Sequence, residues 1–266
     1  MLKNILLNYL SDAKLKYSIY IKELNQGEIC EINQFEIVPS ASIIKLFIMG
    51  SALEKVSTGA LSLKDRITIN KKEKVPFSIL TLLDDDNSYT INDLILIMII
   101  QSDNTATNKL IDIIGFDSIN AFIKKYNFNS STLQRNMMDN ESRLKGIDNL
   151  CDISDCALFL ELIYNGKLIN EEYSKLMVSI LTHQLDDSMM KINLPTNITI
   201  AHKTGDLDFL KHDVGIVYTS KADYIFSMFT WEAISDNYAK NLIGDVSQIT
   251  YDYFMNGGEY FENHRY

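Results

Sequence analysis

Long apolar runs, cysteine-rich patterns and basic clusters are all missing from this 266-residue chain. Its longest uninterrupted apolar run covers residues 94–100, far fewer than the roughly 20 residues that cross a bilayer, so we expect no membrane span. The three cysteines, Cys30, Cys151 and Cys156, are odd in number and irregularly spaced, which predicts free buried thiols and neither a disulfide framework nor a metal site. A net charge of −10 argues against nucleic acid and anionic membranes as partners.

The N-terminus also lacks the pattern of a secretory leader. Its apolar part is short and interrupted by polar residues, and no small-x-small cleavage site follows. We therefore expect a cytoplasmic protein as the chain is written, or a secreted one if a leader has been removed. The composition, 46% hydrophobic and 23% charged, is that of a globular protein large enough for one domain or two lobes.

One predicted helix stands out because a lysine interrupts an otherwise apolar stretch. Pro39 restricts the backbone around itself, so the helix is expected to begin after it. From residue 43 to residue 49 every residue except Lys45 is apolar, which predicts a helix buried on all sides. Ser42, three residues before Lys45, shares its face near the positive end of the helix dipole. The pair is either a serine nucleophile with a lysine base, or an N-capping serine beside a lysine that reaches solvent.

The rest of the chain predicts sheet-forming segments at both ends and helices between them. Segments with strand-like alternation or β-rich composition are residues 17–23, 28–32, 198–204, 214–218 and 224–230. Helical periodicity marks residues 2–13, 117–125, 152–163, 171–181 and 236–255. Short connections, with a turn at residues 25–27 and a loop at 205–211, imply antiparallel pairing of the strands.

These elements predict an α+β fold of the α/β sandwich type. About five antiparallel strands would be flanked by the N- and C-terminal helices, with an all-helical lobe inserted between the strands. Residues 1–40 and 191–266 are expected to form the sheet lobe and residues 41–190 the helical lobe. The active site would lie at the interface between the two lobes.

Two further polar clusters occur at places where the chain is otherwise apolar. Ser102-Asp103-Asn104 lies between two apolar helices, and a capping role for Asp103 or Asn104 accounts for only one of these three polar residues. Lys203-Thr204-Gly205 ends a predicted strand. Together with Ser42-Ile43-Ile44-Lys45, in this order and on these elements, the three motifs resemble those of class A β-lactamases and penicillin-binding proteins. The resemblance covers nearly the whole chain.

The chemistry of these residue types fits serine acyl transfer. Ser42 would attack a carbonyl carbon and Lys45 would take its proton, with Ser102 relaying a proton to the leaving nitrogen. Lys203 would lower the pKa of Lys45 and favour an anionic substrate.

The substrate-binding roles follow in the same way. Thr204 would hydrogen-bond a substrate carboxylate beside Gly205, and Asn104 would hold a substrate amide. By resemblance to the family, the backbone N–H groups of Ser42 and Asp206 form the oxyanion hole. His202 alternates to the other face of its strand and is expected to be structural.

Two positions depart from the family pattern. The glutamate that normally activates the deacylating water aligns with Met137, which cannot do so. Glu141, less favourably Asp139, or Lys45 itself would have to activate the water instead. The arginine that often binds the substrate carboxylate aligns with Val214, so Lys211 or His212 would have to supply positive charge.

The resemblance implies a β-lactamase-type hydrolase without a cofactor, acting as a monomer on a small-molecule substrate such as a β-lactam or an acyl-D-Ala peptide. The missing glutamate implies slow hydrolysis of the acyl-enzyme. Two alternatives stay open: a D-Ala-D-Ala peptidase, penicillin-binding or esterase-type enzyme, and a sensor or binding module that is acylated without turnover.

Overall fold

The computed structural model describes residues 1–25 and 27–256. Gln26, in the predicted turn at residues 25–27, lies outside the described residues, and so do residues 257–266 of the predicted sheet lobe. The α-helices of the described chain are α1 (Leu2–Tyr9), α2 (Lys45–Ser57), α3 (Ile91–Ile100), α4 (Asn104–Ile114), α5 (Phe116–Lys125), α6 (Asn140–Leu144), α7 (Ile153–Tyr164), α8 (Glu171–Leu181) and α9 (Asp236–Asn256). None of the described helices is long and apolar enough to cross a membrane.

The strands are β1 (Lys16–Glu23), β2 (Ile29–Ile32), β3 (Val38–Pro39), β4 (Arg66–Ile69), β5 (Asn87–Thr90), β6 (Leu150–Cys151), β7 (Thr199–Leu207), β8 (Leu210–Tyr218) and β9 (Tyr224–Trp231). Five of them form one sheet in the order β2-β1-β9-β8-β7, and every neighbouring pair is antiparallel. Strands from the two ends of the chain thus meet in one sheet, which confirms the predicted α+β fold.

A separate apolar core packs on each face of the sheet. On one face, α1 and α9 enclose a core that includes Leu6, Phe226 and Ile243. On the other face lies the larger core, built around α2, α3 and α7. Residues 43–49 of this region are fully buried, Lys45 included, as the apolar pattern predicts.

The predicted loop at residues 205–211 is wrong. Strand β7 continues through the Lys203-Thr204-Gly205 motif, and Asp206 pairs with Lys211 and Leu207 with Leu210. Only residues 208 and 209 remain as the turn. The polar side chains that indicate a loop are accommodated in the strands because Lys211, although fully buried, forms ion pairs with aspartates.

Capping residues fix the helix ends around the Ser102 loop. Thr90 accepts a hydrogen bond from the N–H of Asp93, whose carboxylate accepts in return, and this capping box starts α3. Asp103 starts α4 by accepting from the N–H of Ala106. Gly115, with φ of 85°, ends α4 in the left-handed region that glycine adopts most easily. At the end of α3, the N–H groups of Gln101 and Asp103 donate to the Ile97 carbonyl (3.1 and 3.3 Å), so these bonds and the Asp103 cap hold the segment between α3 and α4 at both ends.

Candidate active site

Ser42 lies in a 3₁₀ turn that precedes α2. The turn spans Ala41–Ile44 and the α-helix begins at Lys45, so the predicted helix starts with a tighter turn than expected. Ala41 has φ of 46°, a left-handed conformation that is uncommon outside glycine and asparagine and often marks functional sites. The N–H of Ser40 donates to the Asn149 carbonyl (2.8 Å), and this bond attaches the turn to the segment that precedes β6.

The Lys45 ammonium nitrogen is fully buried and surrounded by oxygen atoms. Its Nζ lies 3.0 Å from Ser42 Oγ, 2.6 Å from the Ser102 carbonyl, 3.1 Å from Ser102 Oγ and 2.9 Å from Asn104 Oδ1. The Asn104 amide nitrogen donates to the Pro76 carbonyl, and this bond turns the amide oxygen toward Lys45. Each motif of the helical region thus contributes an oxygen to one amine.

The number of acceptors around Lys45 fits a neutral amine. Two neighbours, the Ser102 carbonyl and Asn104 Oδ1, can only accept, and a neutral –NH₂ has two N–H groups to give them. Its lone pair is then available to the Ser42 hydroxyl. Burial lowers the pKa of Lys45 well below its ordinary value, and the charge of Lys203 lowers it further. Lys45 is therefore equipped to accept a proton from Ser42.

Ser102 connects the two lysines of the site. Its Oγ lies 3.1 Å from both Lys45 Nζ and Lys203 Nζ. Its φ of 54° is left-handed, a strained conformation that turns its carbonyl and hydroxyl toward the same amine. Asp103, fully buried, holds this conformation by accepting from the Ser78 hydroxyl (2.8 and 2.7 Å) as well as by capping α4.

Lys203 lies inside β7 rather than at its end, and it is fully buried. Its Nζ donates to the Thr204 carbonyl at 2.8 Å. Burial lowers the pKa of Lys203 to about 8, although Asp186 and Asp213 act in the opposite direction. A pKa of about 8 leaves Lys203 mostly charged at neutral pH.

Gly205 lets β7 approach the nucleophile. A Cβ at this position would lie 3.0 Å from Ile43 and 3.3 Å from Ala41, so a larger residue would push the strand away from the Ser42 turn. This close packing brings Asp206, the predicted second oxyanion donor, to the same cleft as Ser42. The cleft has a volume of about 300 Å³ and is lined by Ser42, Ile100, Gln101, Ser102, Gln184, Leu185, Asp186, Thr204 and Asp206.

Comparison with known proteins agrees with this geometry. The β-lactamase enzyme family model matches residues 1–254. A β-lactamase from Sphaerobacter thermophilus is 26% identical, with a TM-score of 0.88 over 96% of this chain and 97% of that one. VEB-1, a β-lactamase from Pseudomonas aeruginosa, is 23% identical over 94% of this chain and 89% of its own length. The structure of PBP-A, 24% identical with a TM-score of 0.88 over 96% of each chain, shares the fold.

The chain belongs to the β-lactamase enzyme family.

Met137 aligns with the water-activating glutamate of the family pattern. The Met137 N–H donates to Asn108 Oδ1 (2.7 Å), and the Asn108 amide donates back to the Met137 carbonyl (3.1 Å). Asn108 is one turn along α4 from Asn104, the partner of Lys45, so both asparagines face the same side of the helix. The backbone of Met137 is thereby fixed against α4, on the helix face that carries Asn104, but its side chain is apolar and 7% exposed.

The two carboxylates proposed as substitutes are not brought into the cleft. Asp139 caps α6, where its carboxylate accepts from the Ser142 N–H and hydroxyl at 3.0 and 2.6 Å. Glu141 is exposed on the first turn of α6. Within the described chain, neither side chain lines the cleft that contains Ser42. The prediction of Glu141 as a catalytic residue gains no geometric support, because the short helix α6 turns it toward solvent.

The cations proposed to replace the family's arginine are not free to do so. Lys211 Nζ is held by Asp206 at 2.7 Å and by Asp236 at 3.0 Å. His212 is fully buried and stacks on Phe229 with ring centroids 4.0 Å apart. Burial lowers the pKa of His212 to about 4, although two backbone carbonyls face its ring nitrogens. Neither side chain therefore offers the substrate an unpaired positive charge.

Two other predicted positions lie away from the cleft lining. Val214 is fully buried and pairs with Lys203 across β7 and β8. His202 projects to the face of β7 opposite Lys203, where its Nδ1 lies 2.9 Å from Asp213 Oδ1. Asp213 also accepts from the Met190 N–H (3.0 Å), so this buried pair attaches the segment after α8 to the sheet.

Sequence reasoning missed the residues that this segment contributes to the cleft. Gln184, Leu185 and Asp186 line the cleft beside the end of α3. The Gln184 amide donates to the Ile99 carbonyl, and its oxygen accepts from the N–H groups of Leu185 and Asp186. A short polar connection after a helix carries no periodicity, so nothing in the local pattern separates it from an ordinary loop.

Proposed function

We propose that this protein is a serine hydrolase of the β-lactamase type, acylated at Ser42 by the amide carbonyl of a β-lactam. The observation that carries the proposal is the buried Lys45 amine within 3.1 Å of both Ser42 Oγ and Ser102 Oγ, two serines that line one cleft. Family membership supports a hydrolase of this class.

The first half-reaction follows from these distances. Ser42 Oγ bonds to the substrate carbonyl carbon while its proton passes to the lone pair of Lys45. The N–H groups of Ser42 and Asp206 stabilise the negative charge that develops on the carbonyl oxygen. The C–N bond then breaks, the proton of Ser102 passes to the leaving nitrogen, and Ser102 regains a proton from Lys45 (3.1 Å). Ser42 is left as an ester and Lys45 as a neutral amine.

The second half-reaction lacks its usual base. Water must add to the ester carbon and lose a proton, and Met137 has no group that accepts one. Lys45, 3.0 Å from the ester oxygen, is the remaining base inside the site, so we infer that hydrolysis of the ester proceeds through Lys45 and is slow. The same observation favours the second candidate, a penicillin-binding type of enzyme whose ester is long-lived.

Intact mass measured after exposure to penicillin, at early and late times, separates these cases. A Ser42 adduct that forms and decays, together with sustained hydrolysis of a chromogenic cephalosporin, is the expected result. A stoichiometric adduct that persists would assign the penicillin-binding type or an acylated sensor. An absence of both adduct and turnover would refute the proposal.

Substitution of the nucleophile provides the control. Ser42→Ala should abolish adduct and turnover together. Ser57→Ala, on the exposed end of the same helix, should retain both, because the Ser57 hydroxyl bonds only the local Glu54 carbonyl.

A further inference from the structure

The positive charge available to a substrate in the cleft is smaller than the number of lysines suggests. Lys45 is turned into a base by its burial, and Lys211 is neutralised by Asp206 and Asp236. His212 is buried and uncharged at neutral pH. Among the basic residues considered above, Lys203 is the one cation left for an anionic substrate.

Asp186 places a carboxylate in the same cleft. It lines the cleft together with Ser42, Ser102 and Thr204. One of its oxygens accepts from the Ser188 N–H at 3.2 Å and from the Ser188 hydroxyl at 2.6 Å. Burial alone would raise the pKa of Asp186, but hydrogen bonds from Ser188 and Thr204, together with the charge of Lys240, outweigh that effect and lower it, so the group is charged.

The segment that carries Asp186 is fixed at both ends. Before it, Gln184 accepts from the Asp186 N–H (3.2 Å) and donates to the end of α3. After it, the Met190 N–H donates to Asp213 of β8 (3.0 Å). The carboxylate is thus held beside Thr204 rather than being free to leave when a substrate enters.

We propose that Asp186 is a specificity-determining residue: its carboxylate lies in the cleft together with Thr204, so that the site favours uncharged or cationic acyl donors over carboxylate-bearing ones. The proposal rests on acylation of Ser42 and names the substrate class of that reaction. Thr204 and Lys203 are the groups that would otherwise bind a substrate carboxylate, and two like charges sharing them repel each other. A substrate without that charge meets no such penalty.

The test compares a carboxylate-bearing acyl donor with its uncharged methyl ester. The rate constant for acylation of Ser42 is measured by stopped flow and intact mass with a cephalosporin that bears a free carboxylate and with its methyl ester. Measurement about two pH units below the pKa of Lys203, which burial lowers to about 8, keeps that lysine charged. The wild-type protein should acylate faster with the ester.

The variant Asp186→Asn removes the charge and keeps an oxygen that accepts from Ser188. It should raise the acylation rate with the free carboxylate by about 10- to 100-fold, equivalent to about 1.4–2.7 kcal/mol, and change the rate with the ester by less than about threefold. Asp187→Asn is the matched control, because Asp187 is an adjacent carboxylate that pairs with Lys191 (2.7 Å) and does not line the cleft. It should leave both rates nearly unchanged.

The possible outcomes separate the role of Asp186 from the proposed function. Equal rates with both donors in the wild-type protein, or equal gains with both donors in Asp186→Asn, would overturn the role of Asp186 alone. The ester rate also reports whether Asp186→Asn is folded. An absence of acylation by either donor in the wild-type protein would overturn the proposed function, and this inference with it.

Discussion

Replacement of Met137 by glutamate tests directly why hydrolysis of the acyl-enzyme should be slow. The backbone of residue 137 is held by Asn108, one turn of α4 from Asn104, which itself bonds Lys45. The side chains of residues one turn apart on a helix lie about 5–6 Å from each other. A glutamate at residue 137 therefore has the reach to place its carboxylate beside Lys45 and the ester of Ser42.

The expected magnitudes follow from the chemistry and from the burial of this residue. A positioned general base contributes about 10²- to 10⁴-fold, equivalent to about 3–5 kcal/mol of the deacylation barrier. Met137 is 7% exposed and belongs to the larger core. Loss of its apolar contacts should lower the free energy of unfolding by about 1.5–3 kcal/mol. Met137→Glu should thus hydrolyse its ester faster while being less stable.

The assay is the decay of the penicillin adduct after excess reagent is removed, followed by intact mass. Met137→Gln is the matched control, since it has the same shape and polarity without a base; its ester should persist as in the wild-type protein. Thermal unfolding of both variants measures the cost in stability. An unchanged adduct lifetime in a folded Met137→Glu protein that still acylates normally would refute the reasoning. It would show that the lack of a base at residue 137 does not limit hydrolysis of the ester.

Further predictions concern Lys203 and the segment that carries Met137. Since burial lowers the pKa of Lys203 to about 8, acylation by carboxylate-bearing substrates should fall as the pH rises through about 8, and acylation by the matched methyl ester should not. Between about 8 and its ordinary value of 10.5, the unfolded chain holds a proton that folded Lys203 has lost. The contribution of this lysine to the free energy of unfolding should therefore rise with pH across that window, as measured by denaturant unfolding. Arg135→Met should lower the free energy of unfolding by about 1.5–3 kcal/mol, because it removes the largely buried partner of Asp148 (2.7 Å) and leaves that carboxylate with only the more distant Arg143 (3.4 Å) as an arginine partner within the described chain; an unchanged melting temperature would contradict this.

The fold was accessible from the sequence through local periodicity, and the three motifs were accessible through their resemblance to those of class A β-lactamases and penicillin-binding proteins. Apolar spacing predicts α2 and its burial, and the spacing of Ser42 and Lys45 predicts that their polar atoms meet. Strand composition at both chain ends predicts one antiparallel sheet. The extent of β7 and β8 was not accessible, because ion pairs formed in the folded state keep charged residues such as Lys211 inside a strand.

The charge of the site was decided by tertiary structure alone. From the sequence, Lys203, Lys211 and His212 all suggest a cleft that attracts anions. In the folded chain aspartates neutralise Lys211 and burial keeps His212 uncharged, while Asp186 enters the cleft from a segment with no distinguishing pattern.

What the sequence by itself determined is that Ser42 and Lys45 lie side by side, since three residues along one helical turn fix their separation. Only the tertiary structure decided how Lys45 meets Ser102, 57 residues away, and how Ser102 meets Lys203, 101 residues away. Contacts at such separations depend on how the sheet and helices pack. Protonation states depend in turn on the burial and the neighbouring charges that this packing creates.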